Sequence, residues 1–249
     1  MRPWRYDAGL RARNRARWLV GVDEAGRGPW AGPLVVAAVG LAEPVPAALR
    51  AARDSKLLSP GRRESLYAAI RASRVPVSVA WAQPRQIEDS NILAATLRAM
   101  GRAAVRAAAE CPDGQLLVVV DGNRRIPGLS LDQLTVVGGD RRSLAVACAS
   151  IVAKVVRDRW MQGLDRRYPG YSLARHKGYG TAVHAAALSR LGPCPAHRRS
   201  FAPVRAVLEA SAGMGPPSPS VRKSVRTVPA ELPIPQASQG WRSPFLETA

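Results

Sequence analysis

The sequence is poor in the residues that build disulfide frameworks and zinc sites. Its three cysteines, Cys111, Cys148 and Cys194, are widely spaced and form no Cys-x-x-Cys pair, and the chain has only three histidines. This scarcity argues against a disulfide framework or a structural zinc site and suits a reducing compartment, so we expect a cytoplasmic protein. Long apolar runs are also missing, and without a run of about 18 apolar residues we expect no membrane span.

Acidic residues are scarce relative to basic ones. The chain has 37 Lys and Arg against 18 Asp and Glu, a formal net charge of +19. An excess of this size predicts a polyanionic partner such as nucleic acid. Lysine itself is rare, with four residues in the whole chain, and three of them (Lys56, Lys154 and Lys177) lie inside the motifs described below.

Composition divides the chain into three parts. Residues 1–17 contain six arginines and one acid and are predicted to be a flexible basic arm. A mitochondrial transit peptide is a weaker alternative, since serine is absent and Asp7 intrudes. Residues 18–212 form one compact unit, and residues 213–249, rich in Pro, Ser and Gly, are predicted to be a disordered tail.

Hydrophobic patterns predict an α/β fold for the compact unit. Several consecutive strands followed by strands separated by helices indicate a mixed sheet with helices packed on it. The expected strands are 18–23, 33–41, 75–82, 115–120 and 134–137. The expected helices are 60–72, 91–109, 143–167, 181–190 and 200–211.

Two adjacent carboxylates, Asp23 and Glu24, end the first predicted strand. They are followed by Ala25-Gly26-Arg27-Gly28-Pro29, in which the glycines permit a tight turn. The side chains either point to opposite faces of the sheet or are splayed by that turn. Two acids beside exposed backbone N–H groups and one guanidinium make a site for a divalent metal and a phosphodiester.

Further acids follow later strands. Asp121 ends the apolar run 116–120, and the carboxyl end of a buried strand is where α/β sheets bind ligands. An Asp-Gly-Asn hairpin turn is the alternative for this segment. A fourth acid comes from Asp140, in a loop before a helix, or from Asp158, for which a surface ion pair with a neighbouring arginine is the favoured role.

Carboxylates without a histidine or cysteine set favour hard, oxygen-liganded cations, Mg²⁺ or Mn²⁺. Two such ions, about 3.5–4 Å apart, activate water and stabilise the leaving oxygen in phosphodiester hydrolysis. The sequence therefore predicts a metal-dependent nuclease.

Eight motifs, in order, resemble those of ribonuclease HII, a bacterial type 2 ribonuclease H. The resemblance spans about residues 18–205, and its motifs are residues 22–29, 54–59, 91–96, 120–123, 149–158, 168–171, 176–181 and 197–201. The related ribonuclease HIII usually has a folded domain before the first acidic motif, whereas here only 22 residues precede Asp23, which favours HII.

The resemblance implies a ribonuclease H fold with a helical C-terminal extension. It also implies hydrolysis of RNA in RNA–DNA hybrids and at single ribonucleotides embedded in duplex DNA, leaving 3′-hydroxyl and 5′-phosphate ends. Asp23, Glu24, Asp121 and Asp140 would be the four metal-site carboxylates. We expect a monomer, with a clamp protein as a candidate partner.

The resemblance also implies substrate contacts. The backbone of Gly26, Arg27 and Gly28 would read the ribose 2′-hydroxyl, Tyr179 would pack against the adjacent deoxyribose, and Lys56 would contact phosphate.

Other basic positions fit nucleic acid by their own character. Lys154 is either a phosphate contact or a snorkelling surface residue. His176 and Lys177, in a glycine-punctuated loop, are predicted to contact nucleic acid. The run 197–199 fits a surface that follows phosphates, and His184 is expected to be an ordinary helix residue.

Two other functions compete with this hypothesis. A non-catalytic nucleic-acid-binding protein is disfavoured because clustered carboxylates in a phosphate-binding face weaken binding unless metal ions bridge them. Another nuclease or polynucleotidyl transferase of the same fold is disfavoured by the Gly26-Arg27-Gly28 segment.

Overall fold

The computed structural model describes residues 2–112 and 114–213. Within them a five-stranded sheet is flanked by helices, which confirms the predicted α/β class. The strands are β1 (Trp18–Ala25), β2 (Leu34–Leu41), β3 (Val77–Ala82), β4 (Leu116–Asp121) and β5 (Gln133–Val136). The α-helices are α1 (Pro3–Asn14), α2 (Pro60–Ala72), α3 (Pro84–Glu88), α4 (Ile92–Ala109), α5 (Gly139–Arg142), α6 (Leu144–Arg167), α7 (Leu173–His176), α8 (Ala182–Leu191) and α9 (Ala202–Gly213).

The sheet is mixed, with strand order β3-β2-β1-β4-β5. β1, β2 and β3 form an antiparallel meander, whereas β4 and β5 run parallel to β1. The parallel register pairs Val22 with Val120, so the residues that follow each of them lie at the same edge of the sheet. This register brings the end of β1 next to the end of β4.

Helices cover both faces of the sheet. The long helix α6, with α1 and α2, packs on the face that presents Leu19, Val35 and Val119. Helix α4 packs on the opposite face against Val20 and Val118. Helix α6 lies so close to β1 that a Cβ on Gly21 would overlap the backbone of α6, and glycine at that position makes the contact possible.

The C-terminal helices form a separate small core against the end of α6. Met161 and Leu164 of α6 are buried there with Tyr171, Leu173 and Ala187. This packing confirms the helical C-terminal extension and places the segment after α7 beside the loop between β1 and β2.

The first 17 residues differ from the prediction of a flexible arm. Residues 3–14 form α1, in which Asp7, Leu10 and Arg11 are buried. The Asp7 carboxylate accepts a hydrogen bond from the Ala145 N–H at 3.0 Å, and Arg11 donates to the Leu41 carbonyl at 3.0 Å. The segment is ordered because these three residues contact the domain, although its other arginines face solvent.

The tail predicted for residues 213–249 lies outside the described residues, apart from Gly213 at the end of α9. The domain boundaries therefore stay a prediction. In the described part of the chain, no helix is both long enough and apolar enough to cross a membrane.

Candidate active site

Three carboxylates meet at the sheet edge where β1 and β4 end. Asp23, Glu24 and Asp121 each offer an oxygen, and these oxygens all lie within 4.8 Å of one another. Parallel pairing of β1 with β4 produces the cluster, because Asp23 and Asp121 follow the paired Val22 and Val120. The geometry thus joins three of the four acids that the sequence predicts to act together.

The cluster concentrates negative charge in a poorly solvated place. Burial, followed by the charges of Glu24 and Asp121, raises the pKa of Asp23 well above its ordinary value. Burial also raises the pKa of Glu24, although Arg27, 3.5 Å away, opposes that rise. Bound divalent cations would offset this repulsion, and an all-oxygen donor set fits Mg²⁺ or Mn²⁺.

Asp140 lies next to the three clustered acids but is not one of them. It is buried in the first turn of α5, and its pKa is raised by burial and by the charges of Asp54 and Asp121. The preceding residue, Gly139, donates its N–H to the Asp121 carboxylate at 2.6 Å. The α5 turn is therefore tied to the cluster through Asp121, and a role for Asp140 as a metal ligand stays a prediction.

Two buried serines support Asp23 from the α6 side of the sheet. The Ser150 hydroxyl hydrogen-bonds to Asp23 and lies 2.9 Å from the hydroxyl of Ser55. Asp23 also accepts the N–H of Glu24 at 2.7 Å. Sequence reasoning did not single out either serine, although both fall inside motifs of the resemblance.

The turn after the acids is held by a buried arginine. Arg198 is fully buried and donates to the carbonyls of Gly26 at 2.6 Å, Arg27 at 2.9 Å and Gly32 at 2.9 Å. The prediction that Arg198 belongs to an exposed phosphate-following surface is therefore wrong. Its charge is satisfied by carbonyls of the turn, a role that residue type alone does not reveal.

A second buried arginine, Arg157, supports the same turn from α6. It donates to the carbonyls of Pro33 at 3.0 Å and Ala31 at 3.3 Å. Gly26 has a φ of +95°, and a Cβ there would overlap the Arg157 side chain. Glycine at position 26 is thus required by both the backbone conformation and the arginine behind it.

Tyr179 lies beside the glycine turn. Its side chain is 48% exposed, and a Cβ built on Gly28 would lie 3.8 Å from the Tyr179 ring. The Tyr179 N–H donates to His176, and its carbonyl is 2.9 Å from the Nδ1 of His184. Tyr179 is therefore adjacent to Gly28, and both are exposed, whereas Gly26 is buried.

The histidines form a buried group behind Tyr179. His176 stacks on His184 with ring centroids 4.3 Å apart, and the Nε2 atoms of His184 and His197 are 3.0 Å apart. All three are buried, so the predicted nucleic-acid contacts of His176 and His197 are wrong. Ring contacts and hydrogen bonds to the backbone hold the three side chains inside the protein.

The predicted lysines differ in their surroundings. Lys56 is exposed, and its charge opposes the rise that burial causes in the pKa of Glu24 and of Asp140, which places it near the acids. Lys154 donates to Asp158 at 2.6 Å, so Asp158 forms an ion pair as predicted, although its partner is Lys154 rather than a neighbouring arginine. Lys177 donates to the Ala174 carbonyl at 2.6 Å. Lys154 and Lys177 therefore already have partners within the protein.

A cleft opens at the acids. Its volume is about 280 Å³, and its lining includes Glu24, Arg27, Asp121, Asn123 and Arg124. The cleft thus combines two of the clustered carboxylates with two guanidinium groups. It offers a negatively charged centre for cations beside positive groups for a phosphodiester.

Known proteins are similar to this chain in sequence. The family model described as ribonuclease HII matches residues 20–204. The chain is 50% identical over 196 residues to the ribonuclease HII of Halorhodospira halophila (strain DSM 244 / SL1), covering 78% of this chain and 97% of that protein.

Solved structures are similar as well. The ribonuclease H2 from Pyrococcus horikoshii OT3 has a TM-score of 0.63 and 26% identity, covering 78% of this chain and 98% of that one. A chain of the PCNA:RNase HII complex from Archaeoglobus fulgidus has a TM-score of 0.62 and 26% identity, covering 74% and 94%.

Proposed function

The chain belongs to the ribonuclease HII family, and from this premise we propose that it cuts duplex DNA at single embedded ribonucleotides. Members of the family are metal-dependent endoribonucleases, and hydrolysis of the RNA strand of RNA–DNA hybrids is the activity of this chain. The finer proposal is supported chiefly by one juxtaposition. Asp23 and Glu24, which cluster with Asp121, are followed directly by the Gly26–Gly28 turn, and Tyr179 lies beside Gly28 in that turn.

Asp23, Glu24, Asp121 and Asp140 are the proposed metal-site residues. Their oxygens would hold two divalent cations, Mg²⁺ or Mn²⁺, which supply an activated water and stabilisation of the leaving oxygen. Ser150 keeps Asp23 oriented, and the Gly139 N–H keeps Asp121 oriented, so the donor oxygens are fixed before a cation binds.

Hydrolysis would leave a 3′-hydroxyl and a 5′-phosphate. Water forms a new bond to phosphorus, the bond from phosphorus to the 3′ oxygen breaks, and that oxygen takes a proton. Lys56 and the guanidiniums of Arg27 and Arg124 are close enough to the acids to contact flanking phosphates. Lys177 and Lys154 are further proposed phosphate contacts, and Lys154 would exchange its partner Asp158 for phosphate.

Recognition of one ribonucleotide requires sensing one hydroxyl group, since the 2′-OH is what distinguishes RNA from DNA at a given site. The backbone of Gly26, Arg27 and Gly28 can approach that hydroxyl closely because Gly28 lacks a Cβ on the exposed side of the turn, whereas Gly26 allows the turn to form against Arg157. Arg198 holds the turn from behind, so its outer side stays presented to the sugar. The exposed Tyr179 ring then packs against the next sugar.

We also propose a partner, an oligomeric state and a location for this chain. A relative from Archaeoglobus fulgidus forms a complex with PCNA, which supports a sliding clamp as a partner here. We further propose that the enzyme acts as a monomer in the cytoplasm and that residues 18–212 form the catalytic domain.

The test is cleavage of a DNA duplex that contains one ribonucleotide, with Mg²⁺, with Mn²⁺ and with neither. We expect a single cut on the 5′ side of the ribonucleotide, with a product end that DNA polymerase extends without prior phosphatase treatment. An all-RNA strand paired to DNA is the positive control, and Asp121→Asn is the negative control. Cleavage of the hybrid without cleavage of the embedded ribonucleotide would contradict the proposal.

A further inference from the structure

A second, larger groove runs along α4 and adjoins the cleft at the acids. This α4 groove has a volume of about 840 Å³, and its far side is formed by the loop that follows β4. Its apolar lining includes Leu93, Leu97, Val105, Ile126, Pro127 and Leu129. Val105 is 51% exposed and Leu93 is 36% exposed, so apolar surface remains open to solvent in the described part of the chain. These side chains line one open groove, so a partner can pack against several of them together.

Three arginines follow the same groove at intervals of four residues. Arg98, Arg102 and Arg106, together the arginine ladder, all line it. Like charges spaced i, i+4 on a helix are mutually destabilising. Burial lowers the pKa of Arg102, and the charges of Arg106 and Arg98 lower it further. The arginine ladder therefore destabilises the isolated helix, so its presence is not explained by a contribution to folding.

The ladder has spare hydrogen-bonding capacity. Arg98 donates to the Ser90 hydroxyl at 2.7 Å and Arg102 to the Trp81 carbonyl at 2.8 Å. No carboxylate among residues 2–112 and 114–213 forms an ion pair with any of the three. A guanidinium has five N–H donors, so each side chain can still bind an anion.

Gly101 keeps the groove deep. It lies in the middle of α4, where glycine costs about 1 kcal/mol relative to alanine. A Cβ at this position would lie 3.3 Å from the Ile126 side chain. Glycine thus allows the helix and the loop to approach at the floor of the groove while the rim stays open.

From the apolar lining and the arginine ladder we propose that the α4 groove binds an acidic, amphipathic segment of a partner protein. Apolar side chains of the segment would pack on Leu97, Val105 and Leu129, and its carboxylates would pair with the ladder. From Asn91 to Arg106 the groove extends about 22 Å at 1.5 Å per helical residue, enough for about four turns of a bound helix.

Other occupants fit less well. Residues 214–249 of the same chain contain four basic and two acidic residues, so their charge has the same sign as the ladder. Single-stranded nucleic acid binds on aromatic platforms, and the lining of the α4 groove contains no aromatic residue. The groove shares Leu93 and Leu97 with the cleft at the acids, so a bound partner would lie next to the substrate.

The experiment is a selection of random displayed peptides, about 12 residues long, on the full-length protein. Enriched sequences are synthesised with a fluorophore and titrated by anisotropy. We expect them to be acidic and apolar, and we expect Val105→Asp and Arg106→Glu each to weaken their binding by about tenfold or more. The matched control is Val183→Asp, which alters a valine of α8 that is 44% exposed.

Hybrid cleavage by the same variants checks that they fold, since neither residue lies in the cleft at the acids. Unchanged cleavage with lost peptide binding supports the proposal, whether or not embedded ribonucleotides are cut. Failure to enrich any peptide, or enrichment of neutral or basic ones, overturns it. So does binding that is insensitive to both substitutions, or weakened hybrid binding in Arg106→Glu, which would make the ladder part of the nucleic-acid site.

Discussion

Arg198 donates to the carbonyl of Gly26 at 2.6 Å across 172 positions of sequence. The same guanidinium reaches the carbonyls of Arg27 and Gly32, so one side chain from the C-terminal extension fixes the turn that follows the metal-site acids. Burial and the charge of Arg157 lower the pKa of Arg198, and the carbonyl oxygens offset part of that cost. The C-terminal extension therefore shapes the surface proposed to read the sugar.

Arg198→Lys should impair substrate recognition more than metal binding. A lysine has one compact ammonium and cannot span three carbonyls as the planar guanidinium does. We expect KM for a ribonucleotide-containing duplex to rise by about tenfold, with Mn²⁺ affinity by calorimetry unchanged. Assays are run well below the unfolding temperature of the variant. A rise in KM accompanied by an equally large loss of Mn²⁺ affinity would indicate a general structural defect instead.

Asp121→Asn should abolish cleavage and leave folding intact. The asparagine oxygen can still accept the N–H of Gly139, but the variant loses a negative metal ligand. We expect kcat to fall by more than about a hundredfold, beyond the usual effect of outer-shell changes. Thermal unfolding by circular dichroism and binding of an uncleaved hybrid are the companion measurements. Parallel loss of stability and activity would make Asp121 a structural residue.

Alanine at the two glycines of the turn should have different effects. A Cβ on Gly26 overlaps Arg157 at a positive φ, so Gly26→Ala should lower the free energy of unfolding by about 2–4 kcal/mol. A Cβ on Gly28 meets only the Tyr179 ring at 3.8 Å, so Gly28→Ala should fold normally. It should still reduce kcat/KM by about tenfold or more by crowding the 2′-hydroxyl. Wild-type cleavage by Gly28→Ala would remove this glycine from sugar recognition.

Asp7 should make stability depend on pH. Burial raises the pKa of Asp7 to about 6 from an ordinary 3.8, so the folded state binds a proton more tightly than the unfolded state. The proton bound to Asp7 stabilises the folded state fully below about pH 4, and this contribution is lost as the pH rises through about 6. The free energy of unfolding therefore falls by about 2–3 kcal/mol over that range. Asp7→Asn should remove this dependence, as measured by urea unfolding across that range. A constant difference between the two proteins at every pH would contradict the assignment.

Local signals in the sequence were sufficient for most of the fold. The helices expected at 60–72 and 91–109 are present, and the side chains of Ser59 and Asn91 cap them by accepting the N–H of Arg62 and Ala94 respectively. The strand ends were readable too, because the apolar runs stop at the acids. The proximity of Asp23 to Asp121 needed the resemblance, since strand order is not encoded in any single segment.

What the sequence could not reveal depends on contacts between distant segments. Helix α1 is fixed by Asp7 bonding to Ala145, and its composition alone resembles a disordered basic arm. Arg198 and His176 are polar residues that pack inside the protein, where pairing with carbonyls and neighbouring rings outweighs their usual preference for solvent. The sequence also could not show that three acids, rather than four, come within 4.8 Å.

Tyr179→Ala should change substrate preference rather than overall binding. The exposed ring lies next to Gly28, where it can contact the sugar that follows the ribonucleotide. A ring packed on deoxyribose would be crowded by an added 2′-hydroxyl, so its removal should reduce discrimination between the two sugars. We expect the ratio of cutting at one embedded ribonucleotide to cutting within an all-RNA strand to fall by about tenfold, with duplex affinity changing less. Tyr179→Phe is the matched control, because it keeps the ring and should keep the ratio. If Tyr179→Ala retains the wild-type ratio and rate, the ring does not test the sugar, and discrimination must come from the Gly26–Gly28 turn alone.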